Sequence, residues 1–376
     1  MAKSLRELCG ADFPLFAFSH CRDVVAAVSR AGGFGVLGCS TFTPEQLDEE
    51  LKWIGEHVDG KPFGVDIIIP ENIPAASRRT IDDLAAAIPP EQLGFVRDLL
   101  ARHDVTLTAE EAIDRSLAPL ILPDIGQELL EVAFRHPIRF VANALGLAPP
   151  RMIELGRRHG VAVGALCGAA DHAVRQVEAG VDIVIAQGSE AGGHTGEVST
   201  LVLVPEVVRA VDKAGSVPIL AAGGIMNGRQ MAGCMAMGAA GVWTGSVWLA
   251  TPESGLSPVL QQKIVEAGSR DTVRSKARTG KYSRQLRSDW HRAWDAPGAP
   301  GTLPMPLMGM VAEAAFGRIT REAERGHAGA RALASYFMGQ GIGLVDQIAS
   351  ATSIVQQFKE DFADAVGSLL PHLAGE

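Results

Sequence analysis

One segment of this 376-residue chain combines a reactive side chain with a glycine-rich loop. In VDIVIAQGSEAGGHTG, residues 181–196, an apolar run leads directly into Gln187, Gly192, Gly193 and His194. Glycine tolerates positive φ and lets backbone N–H groups approach a planar ring or an anion. Because imidazole exchanges protons near neutral pH, the pattern predicts His194 as a general base at a strand end. The alternative is an exposed turn that carries an incidental histidine, since one short motif is only a hypothesis.

Two later segments carry the residue types that bind phosphate. VPILAAGGI ends in a Gly-Gly pair, and GVWTGS ends the next apolar run in a polar turn; the residues concerned are Gly223, Gly224, Trp243, Thr244, Gly245 and Ser246. Unpaired backbone N–H groups and the dipole of a following helix both favour an anion. A lone Gly-Gly turn is often structural, but two such turns in consecutive units predict a phosphate site.

The elements that must position these residues repeat along the chain. Short runs rich in Val, Ile, Leu and Ala, each closed by a Gly, Pro or polar break, predict eight buried parallel strands. They are Pro14–Ser19, Gly35–Cys39, Phe63–Ile69, Ile138–Ala142, Val161–Leu166, Asp182–Ala186, Val217–Ala222 and Gly241–Gly245. Amphipathic stretches between the later runs predict helices at Pro150–His159, Asp171–Ala179, Val204–Ala214 and Gly228–Met237. This alternation predicts an α/β protein with a (β/α)8 TIM barrel, whose strand ends converge on the substrate.

The chain is longer than the roughly 250 residues of a plain barrel. We therefore expect a barrel over residues 1–251 with a helical insertion at about 70–137. Helical patterns within that insertion lie around Glu91–His103 and Gln127–Arg135. Residues 252–376 are predicted to form a mainly helical subdomain packed on the barrel, with a mobile or ligand-covering loop near its start. Its helical patterns lie at Met308–Arg325 and Ile348–Leu370.

Composition excludes several classes of partner. The net charge is −9 without a basic stripe interleaved with aromatic residues, which argues against nucleic acid. No run of about 20 apolar residues predicts a membrane span, and no export signal is evident, so we expect a cytoplasmic protein. The cysteines are scattered without a CxxC pair, so neither a metal site nor a disulfide framework is predicted; they are Cys9, Cys21, Cys39, Cys167 and Cys234.

Three further features leave alternatives open. His20 follows the first predicted strand and could be a second acid or base, or an ordinary rim histidine. A cluster of basic residues in this acidic chain could be a solvent-exposed surface, or it could bind the phosphate of a pyridine nucleotide or of phosphopantetheine. Its members are Arg274, Lys276, Arg278, Lys281, Arg284 and Arg287. Met305, Met308 and Met310 could line an apolar pocket or pack in a core.

The motifs AQGSEAGGHTG, AAGGI and WTGS, together with PLFAFSH and AVSRAGGFGVLG, resemble the nitronate monooxygenase family, formerly called 2-nitropropane dioxygenases. Its relatives include FMN-dependent enoyl-ACP reductases and flavin-dependent NAD(P)H:quinone reductases. The resemblance covers about residues 10–250, and GQGIGLVD at Gly339–Asp346 is also similar to the family.

The resemblance implies FMN as the cofactor. It places Gln187 and Gly192 at the isoalloxazine or ribityl part, Gly224 and the turn Trp243–Ser246 at the phosphate, and His194 at the flavin as the base. Family members usually carry an asparagine where this chain has Asp66, in FGVDIII. A carboxylate there could accept from the flavin N3–H, yet it would repel the negative charge of a reduced flavin.

The leading expectation is oxidation of alkyl nitronates by O2 to a carbonyl compound and nitrite. The alternative in the same fold is an NAD(P)H-dependent FMN reductase that acts on quinones or enoyl thioesters. A third expectation, of another class, is a non-catalytic flavin-binding or phosphate-binding interaction protein. A homodimer is left open.

Overall fold

The computed structural model describes residues 3–69, 80–115 and 123–373, without the side chains at positions 123, 124 and 373. Its strands are β1 Leu15–Ser19, β2 Phe34–Gly38, β3 Phe63–Ile67, β4 Phe140–Asn143, β5 Ala162–Cys167, β6 Ile183–Gln187, β7 Gly193–His194, β8 Ile219–Ala222, β9 Gly241–Thr244, β10 Thr272–Ser275 and β11 Ser283–Leu286. Eight of them close a parallel barrel in the order β1-β2-β3-β4-β5-β6-β8-β9, and β9 pairs with β1. The predicted TIM barrel is confirmed, and every predicted strand lies within two residues of an observed one.

Helices alternate with the barrel strands and cover their outer face. They are α1 Leu5–Cys9, α2 Arg22–Arg30, α3 Pro44–His57, α4 Ile81–Ala86, α5 Pro90–Ala101, α6 Pro123–Ala133, α7 Pro150–His159, α8 Ala170–Ala179, α9 Thr200–Ala214, α10 Gly228–Ala236, α11 Pro258–Glu266, α12 Asp289–Trp294, α13 Leu307–Glu324, α14 Ala328–Leu333 and α15 Ala351–Leu373. Among the described helices, none combines the length and the apolar composition that crossing a bilayer requires.

Local sequence signals explain where these helices begin and end. The Thr43 hydroxyl accepts a hydrogen bond from the Gln46 N–H (3.3 Å) just before α3. Asn227 caps α10 in the same way, with its Oδ1 accepting from the Gln230 N–H (2.9 Å). Gly160 ends α7 in the left-handed region, which glycine enters without a steric penalty.

The inside of the barrel is filled by aromatic side chains. Phe16 and Phe34 have ring centroids 4.6 Å apart, and the Trp243 ring lies 6.5 Å from that of Phe16. Successive side chains of a strand point to opposite faces, and Val65 and Ile67 belong to the outer core between strands and helices. Asp66 therefore points inward, above this aromatic filling and at the carboxyl end of β3.

The hydrophobic side chains outside the barrel form two separate cores. One joins the barrel strands to their helices. The other joins α4 and α5 of the insertion to α11, α12, α13 and α14 of the C-terminal segment. The insertion and the C-terminal segment therefore share one core, although about 150 residues of barrel separate them in the chain.

Two helices return to the barrel. Helix α6 packs on α3 and β3, and α15 packs on α10 and α2, where it completes the helical layer after β9. The predicted division of the chain at residue 251 stays a prediction. We propose instead that residues 80–115 and 256–336 form one unit, and that residues 337–373 belong with the barrel.

A small sheet connects this second unit to the barrel mouth. Strands β10 and β11 form an antiparallel hairpin, and β11 also pairs with β7, so that Ser283 lies opposite His194 and Arg284 opposite Gly193. The C-terminal segment is thus not only helical. The hairpin holds the segment that carries the predicted catalytic histidine.

Candidate active site

The glycine-rich turns after β8 and β9 lie side by side. Ala222 and Trp243 are paired partners in these two strands, and neighbouring strands run about 4.8 Å apart. The Gly223–Gly224 turn and the Gly245–Ser246 turn continue from that pair. The structure therefore brings together the two segments that the sequence predicted at a phosphate.

The backbone of these turns offers unpaired donors. Gly223 and Gly224 have φ values of 112° and 73°, and a Cβ on Gly224 would lie 3.1 Å from the Glu190 Cβ. Over the described residues, the amides of Gly223, Gly224, Ile225 and Gly245 donate to no protein acceptor. Converging free N–H groups near the start of a helix, here α10, suit an anionic phosphate.

The side chains of Trp243 and Thr244 are engaged elsewhere. Trp243 is 6% exposed, and its ring lies 5.9 Å from that of Phe18. Thr244 Oγ1 donates to the Phe16 carbonyl (2.9 Å) and accepts from Trp248 Nε1 (3.0 Å). Their side chains are therefore not available to a phosphate. The prediction that these two residues hold a phosphate concerns their backbone and stays a prediction.

The similar segment GQGIGLVD lies against the same turns. The Gly339 N–H donates to Ser246 Oγ (2.8 Å), which leaves the serine proton available to an anion. The Gln340 N–H donates to the Glu190 carbonyl (2.8 Å). A Cβ on Gly341 would lie 2.4 Å from the Gly224 carbonyl oxygen, so only glycine permits this approach.

His194 is held by the hairpin of the C-terminal segment. Its Nε2 lies 2.9 Å from Thr279 Oγ1, and that hydroxyl donates to the Lys281 carbonyl (3.0 Å). Since the hydroxyl has one proton, Thr279 then accepts from Nε2–H, and Nδ1 keeps the lone pair of a base. The residue is exposed at one side, yet burial of the ring by neighbouring atoms and the Lys281 ammonium lower the pKa of His194. The neutral form is therefore favoured near neutral pH.

His20 is a second titratable group at the mouth. Its Nδ1 lies 2.9 Å from the Gly38 carbonyl, which can only accept, so Nδ1 carries the proton and Nε2 the lone pair. Burial lowers the pKa of His20, and its ring meets Phe18 edge to face at 5.1 Å. The structure thus leaves both interpretations of His20 open.

Two inward-facing polar side chains lack protein partners. Asp66 is 4% exposed, and within the described ranges no group donates a hydrogen bond to its carboxyl. Burial raises the pKa of Asp66 to about 7. The Gln187 amide, at the end of β6, is half-buried and likewise has no partner among the described residues. A polar ring placed between them would satisfy both side chains.

Sequence reasoning missed Asn143 and Thr279. Asn143 is fully buried at the end of β4, where its amide bonds the backbone of Ile69 at 3.0 and 3.4 Å and so shapes the mouth. A polar residue that ends an apolar strand was the available signal for Asn143. Thr279 carries no such signal, because it contacts His194 although the two residues are 85 positions apart in the sequence.

The predicted basic cluster is not one surface. Arg278 is buried and pairs with Glu313 through two hydrogen bonds of 2.6 and 2.9 Å. Arg284 is buried and donates to the Ser189 carbonyl (2.9 Å), whereas Lys276 is exposed. Met308 and Met310 are buried in the second core, in agreement with core packing.

A surface hollow of about 740 Å³ lies elsewhere, between α8 and α9. It is lined by Glu178, Glu206 and Arg209 among others. It sits on the outer helical layer, away from the strand ends and their free amides. We therefore place the candidate site at the barrel mouth.

Comparisons with known proteins identify the family of this chain. The family model described as nitronate monooxygenase matches residues 17–361. A candidate monooxygenase of Mycobacterium tuberculosis is 49% identical over 372 residues, which cover 98% of each chain. A protein of Staphylococcus haemolyticus described as a nitronate monooxygenase is 27% identical and covers 73% of this chain and 74% of its own.

Two solved structures are similar over nearly the whole chain. The nitroalkane oxidase from Streptomyces ansochromogenes has a TM-score of 0.79 at 26% identity and covers 98% of this chain and 100% of its own. FabK from Thermotoga maritima has a TM-score of 0.71 at 27% identity and covers 99% and 100%. These matches favour an enzyme over a non-catalytic binding protein. The chain therefore belongs to the nitronate monooxygenase family and is an oxidoreductase.

Proposed function

We propose that the protein binds FMN at the barrel mouth and oxidises alkyl nitronates with O2 to a carbonyl compound and nitrite. The observation that carries the proposal is the histidine on the β6 loop, whose Nε2 is held by Thr279 at 2.9 Å. Family membership and the likeness to a nitroalkane oxidase support the substrate class. The cytoplasmic location and the homodimer considered from the sequence stay predictions.

The residues at the mouth fit FMN. The free amides of Gly223, Gly224 and Gly245 would hold its phosphate, with the Ser246 hydroxyl as a further donor. Gln187 and Asp66 would face the isoalloxazine edge. Gly192 and Gly193 are kept as proposed backbone contacts of the flavin. The absence of a side chain on Gly192 permits the close approach of the Met338–Gly339 backbone, since a Cβ there would lie 2.8 Å from Met338 Cα. FMN, when bound, would supply the two-electron chemistry between the substrate and O2.

The protein's own contribution is acid–base chemistry and positioning. Neutral His194 would take the α-proton of a nitroalkane at Nδ1, while Thr279 keeps the ring oriented. When the nitronate anion is supplied, the same imidazole would hydrogen-bond a nitronate oxygen. The Lys281 ammonium lies close enough to lower the pKa of His194, and it would stabilise an anionic substrate in the same place.

A second candidate is an NAD(P)H-dependent reductase that acts on quinones or enoyl thioesters. It is favoured by Arg274 and Arg284, which face each other on the hairpin and suit a phosphorylated co-substrate. An absorbance spectrum of the purified protein tests for the flavin. Anaerobic mixing then separates the two: flavin bleaching by a nitronate supports the proposal, and rapid bleaching by NADH or NADPH supports the reductase.

The role of His194 is tested by His194→Asn. General-base catalysis contributes roughly 100-fold to 10,000-fold, so turnover of neutral nitroethane should fall by at least 100-fold while FMN binding is retained. Turnover of the preformed ethyl nitronate should fall much less. Normal oxidation of nitroethane by the variant would remove His194 from the mechanism.

A further inference from the structure

Two arginines face each other on the small sheet without a counter-ion. Arg274 of β10 is the ladder partner of Arg284 of β11. Like charges placed directly opposite each other destabilise a sheet. Within the described parts of the chain, no carboxylate lies within 4.0 Å of either guanidinium. Arg284 is only 8% exposed, and burial together with the Arg274 charge lowers the pKa of Arg284. A buried cation without a partner costs stability, so this pair requires a separate explanation.

Glu190 does not neutralise the pair. The negative charge of Glu190 partly offsets the lowering of the Arg284 pKa, but the Glu190 carboxylate makes its hydrogen bonds elsewhere. Its Oε2 accepts from the Thr200 N–H (2.9 Å) and from Thr200 Oγ1 (3.0 Å) at the start of α9. Arg284 uses Nε on the Ser189 carbonyl and Nη1 on Thr272 Oγ1 (3.2 Å), so its Nη2 has no acceptor in the described chain.

Two buried polar atoms on Arg274 and Thr195 lack hydrogen-bond partners among the described residues. The Arg274 Nη2 donates to the Thr195 carbonyl (3.4 Å), while the buried Nε of Arg274 has no partner. The buried hydroxyl of Thr195 also has no partner among the described residues. Buried polar atoms in native proteins are nearly always hydrogen-bonded, so these two atoms on neighbouring side chains are available to hydrogen-bond a ligand.

The same face of the sheet has room for that ligand. Gly193 is the ladder partner of Arg284, so Arg274, Arg284 and Gly193 form one row across the three strands. Gly193 has no side chain, and a Cβ placed there would meet no atom within 4 Å. Because side chains alternate, His194 points to the opposite face.

This row is separate from the turns after β8 and β9. The segment Ser189–Glu190 stands between them, since the Ser189 carbonyl accepts from Arg284 while the Glu190 Cβ faces Gly224. We propose that Arg274, Arg284 and Thr195 form a second anion site, which binds the phosphate group of a phosphorylated co-substrate other than FMN. Two guanidiniums and a hydroxyl match a phosphate dianion in charge and in donor geometry.

The site lies on the loop that carries His194, at the edge of the candidate active site. A co-substrate anchored there by its phosphate could extend around that edge to the barrel mouth. The inference does not depend on nitronate oxidation, because it concerns binding alone. Failure of the proposed reaction would leave it standing.

The test is calorimetric titration of the flavin-containing protein with inorganic phosphate at low chloride. Arg274→Met removes the guanidinium and keeps most of the aliphatic stem, and it should weaken phosphate binding at least tenfold. Lys276→Met is the matched control, because Lys276 lies on the same hairpin, stacks on the same Tyr282 ring and is exposed. It should change phosphate affinity less than twofold.

Thr195→Val provides an independent variant if Arg274→Met folds poorly, and it should weaken phosphate binding about threefold or more. Unchanged phosphate affinity in a folded Arg274→Met protein, or in Thr195→Val, would overturn the site. An equal loss of affinity in Lys276→Met would also overturn it, because that result indicates a diffuse positive surface.

Competition experiments identify the source of the phosphate. Displacement of bound phosphate by NADH or NADPH assigns the site to a dinucleotide, and displacement by 4′-phosphopantetheine assigns it to an acyl carrier. If none of the three competes, the assignment to a co-substrate is wrong. If Arg274→Met weakens FMN binding as much as phosphate binding but leaves riboflavin binding unchanged, the arginines hold the FMN phosphate and the second site does not exist.

Discussion

At the scale of single residues, the Thr279 hydroxyl decides which nitrogen of His194 can act as a base. A threonine hydroxyl has one proton to give, and the Lys281 carbonyl can only accept it. The imidazole must then donate from Nε2, which leaves the Nδ1 lone pair for a substrate proton. A general base acts only when its lone pair is within reach and correctly directed. Thr279 is therefore a positioning residue for His194.

Thr279→Val should impair proton abstraction while preserving the fold. The variant keeps the shape of the side chain but cannot accept from Nε2–H, so the ring loses its orientation. We expect kcat/KM for neutral nitroethane to fall about tenfold, with little change for ethyl nitronate, which needs no deprotonation. Thr279→Ser keeps the hydroxyl and should retain most of the activity. Equal losses on both substrates would indicate general disorder of the site.

The burial of Asp66 predicts that the stability of the protein depends on pH. The carboxyl titrates at about pH 4 in an unfolded chain, whereas burial raises the pKa of Asp66 to about 7 in the folded protein. Between these values the folded state holds a proton that the unfolded state has lost. Stability therefore falls as the pH rises through this window, by at most about 1.4 kcal/mol per pH unit.

Asp66→Asn removes this titration, so the variant should gain stability relative to the wild-type protein between about pH 5 and pH 8. Thermal unfolding of the FMN-free protein at both pH values measures the difference. The exposed Asp171 provides a control, since Asp171→Asn should show no such gain. A constant difference in Tm between the wild-type protein and Asp66→Asn across this range would contradict the raised pKa.

At the scale of elements, the turn before α10 requires glycine, whereas glycine within the helix lowers its stability. Gly224 has a φ of 73° and a free amide, so Gly224→Ala would introduce strain and a Cβ 3.1 Å from that of Glu190. We expect FMN affinity to fall at least tenfold, measured by quenching of flavin fluorescence. Gly233→Ala is the control, because it lies exposed within α10 with open space around its Cβ position. It should leave FMN affinity unchanged and stabilise the protein by about 0.5–1 kcal/mol.

The barrel could be predicted because its signals are local. Each buried parallel strand is a short apolar run, and each run ends at a Gly, Pro or polar break. Helix α7 was predicted at its observed bounds because it combines an amphipathic pattern with a proline at its start and Gly160 at its end. The turns after β8 and β9 were predicted to meet because consecutive barrel strands are neighbours.

The hairpin could not be predicted because its signals are not local. Its strands bury polar residues such as Ser275, Ser283 and Gln285 in place of alternating apolar ones. Its partner β7 has two residues, too few for any periodicity to show. The contact between His194 and Thr279 depends on this pairing, so the sequence pointed to the base but not to the group that orients it.

At the scale of the whole molecule, the chain crosses between its two cores more than once. It leaves the barrel after β3, returns at α6, leaves again after β9 and returns with the segment 337–373, which includes α15. The second core thereby holds the hairpin against the barrel mouth, and Arg278 fixes the hairpin turn to α13 through Glu313. A basic residue in that turn thus has a structural role that its neighbours Lys276 and Lys281 do not share.

The last helix completes the helical layer around the barrel by packing on α10 and α2, although α15 carries none of the proposed site residues. Phe358 of α15 is 1% exposed, and its ring lies 6.4 Å from the ring of Trp248. The backbone of α15 also approaches α10 closely, since a Cβ on Gly228 would lie 2.0 Å from the carbonyl oxygen of Phe358. Phe358→Ala should therefore lower the free energy of unfolding by about 3–5 kcal/mol, as for other buried aromatic side chains. Leu369→Ala, at a position 56% exposed in the same helix, should change it by less than about 0.5 kcal/mol. Urea unfolding of the two variants would compare them directly, and similar losses in both would mean that α15 does not pack on α10 in this way.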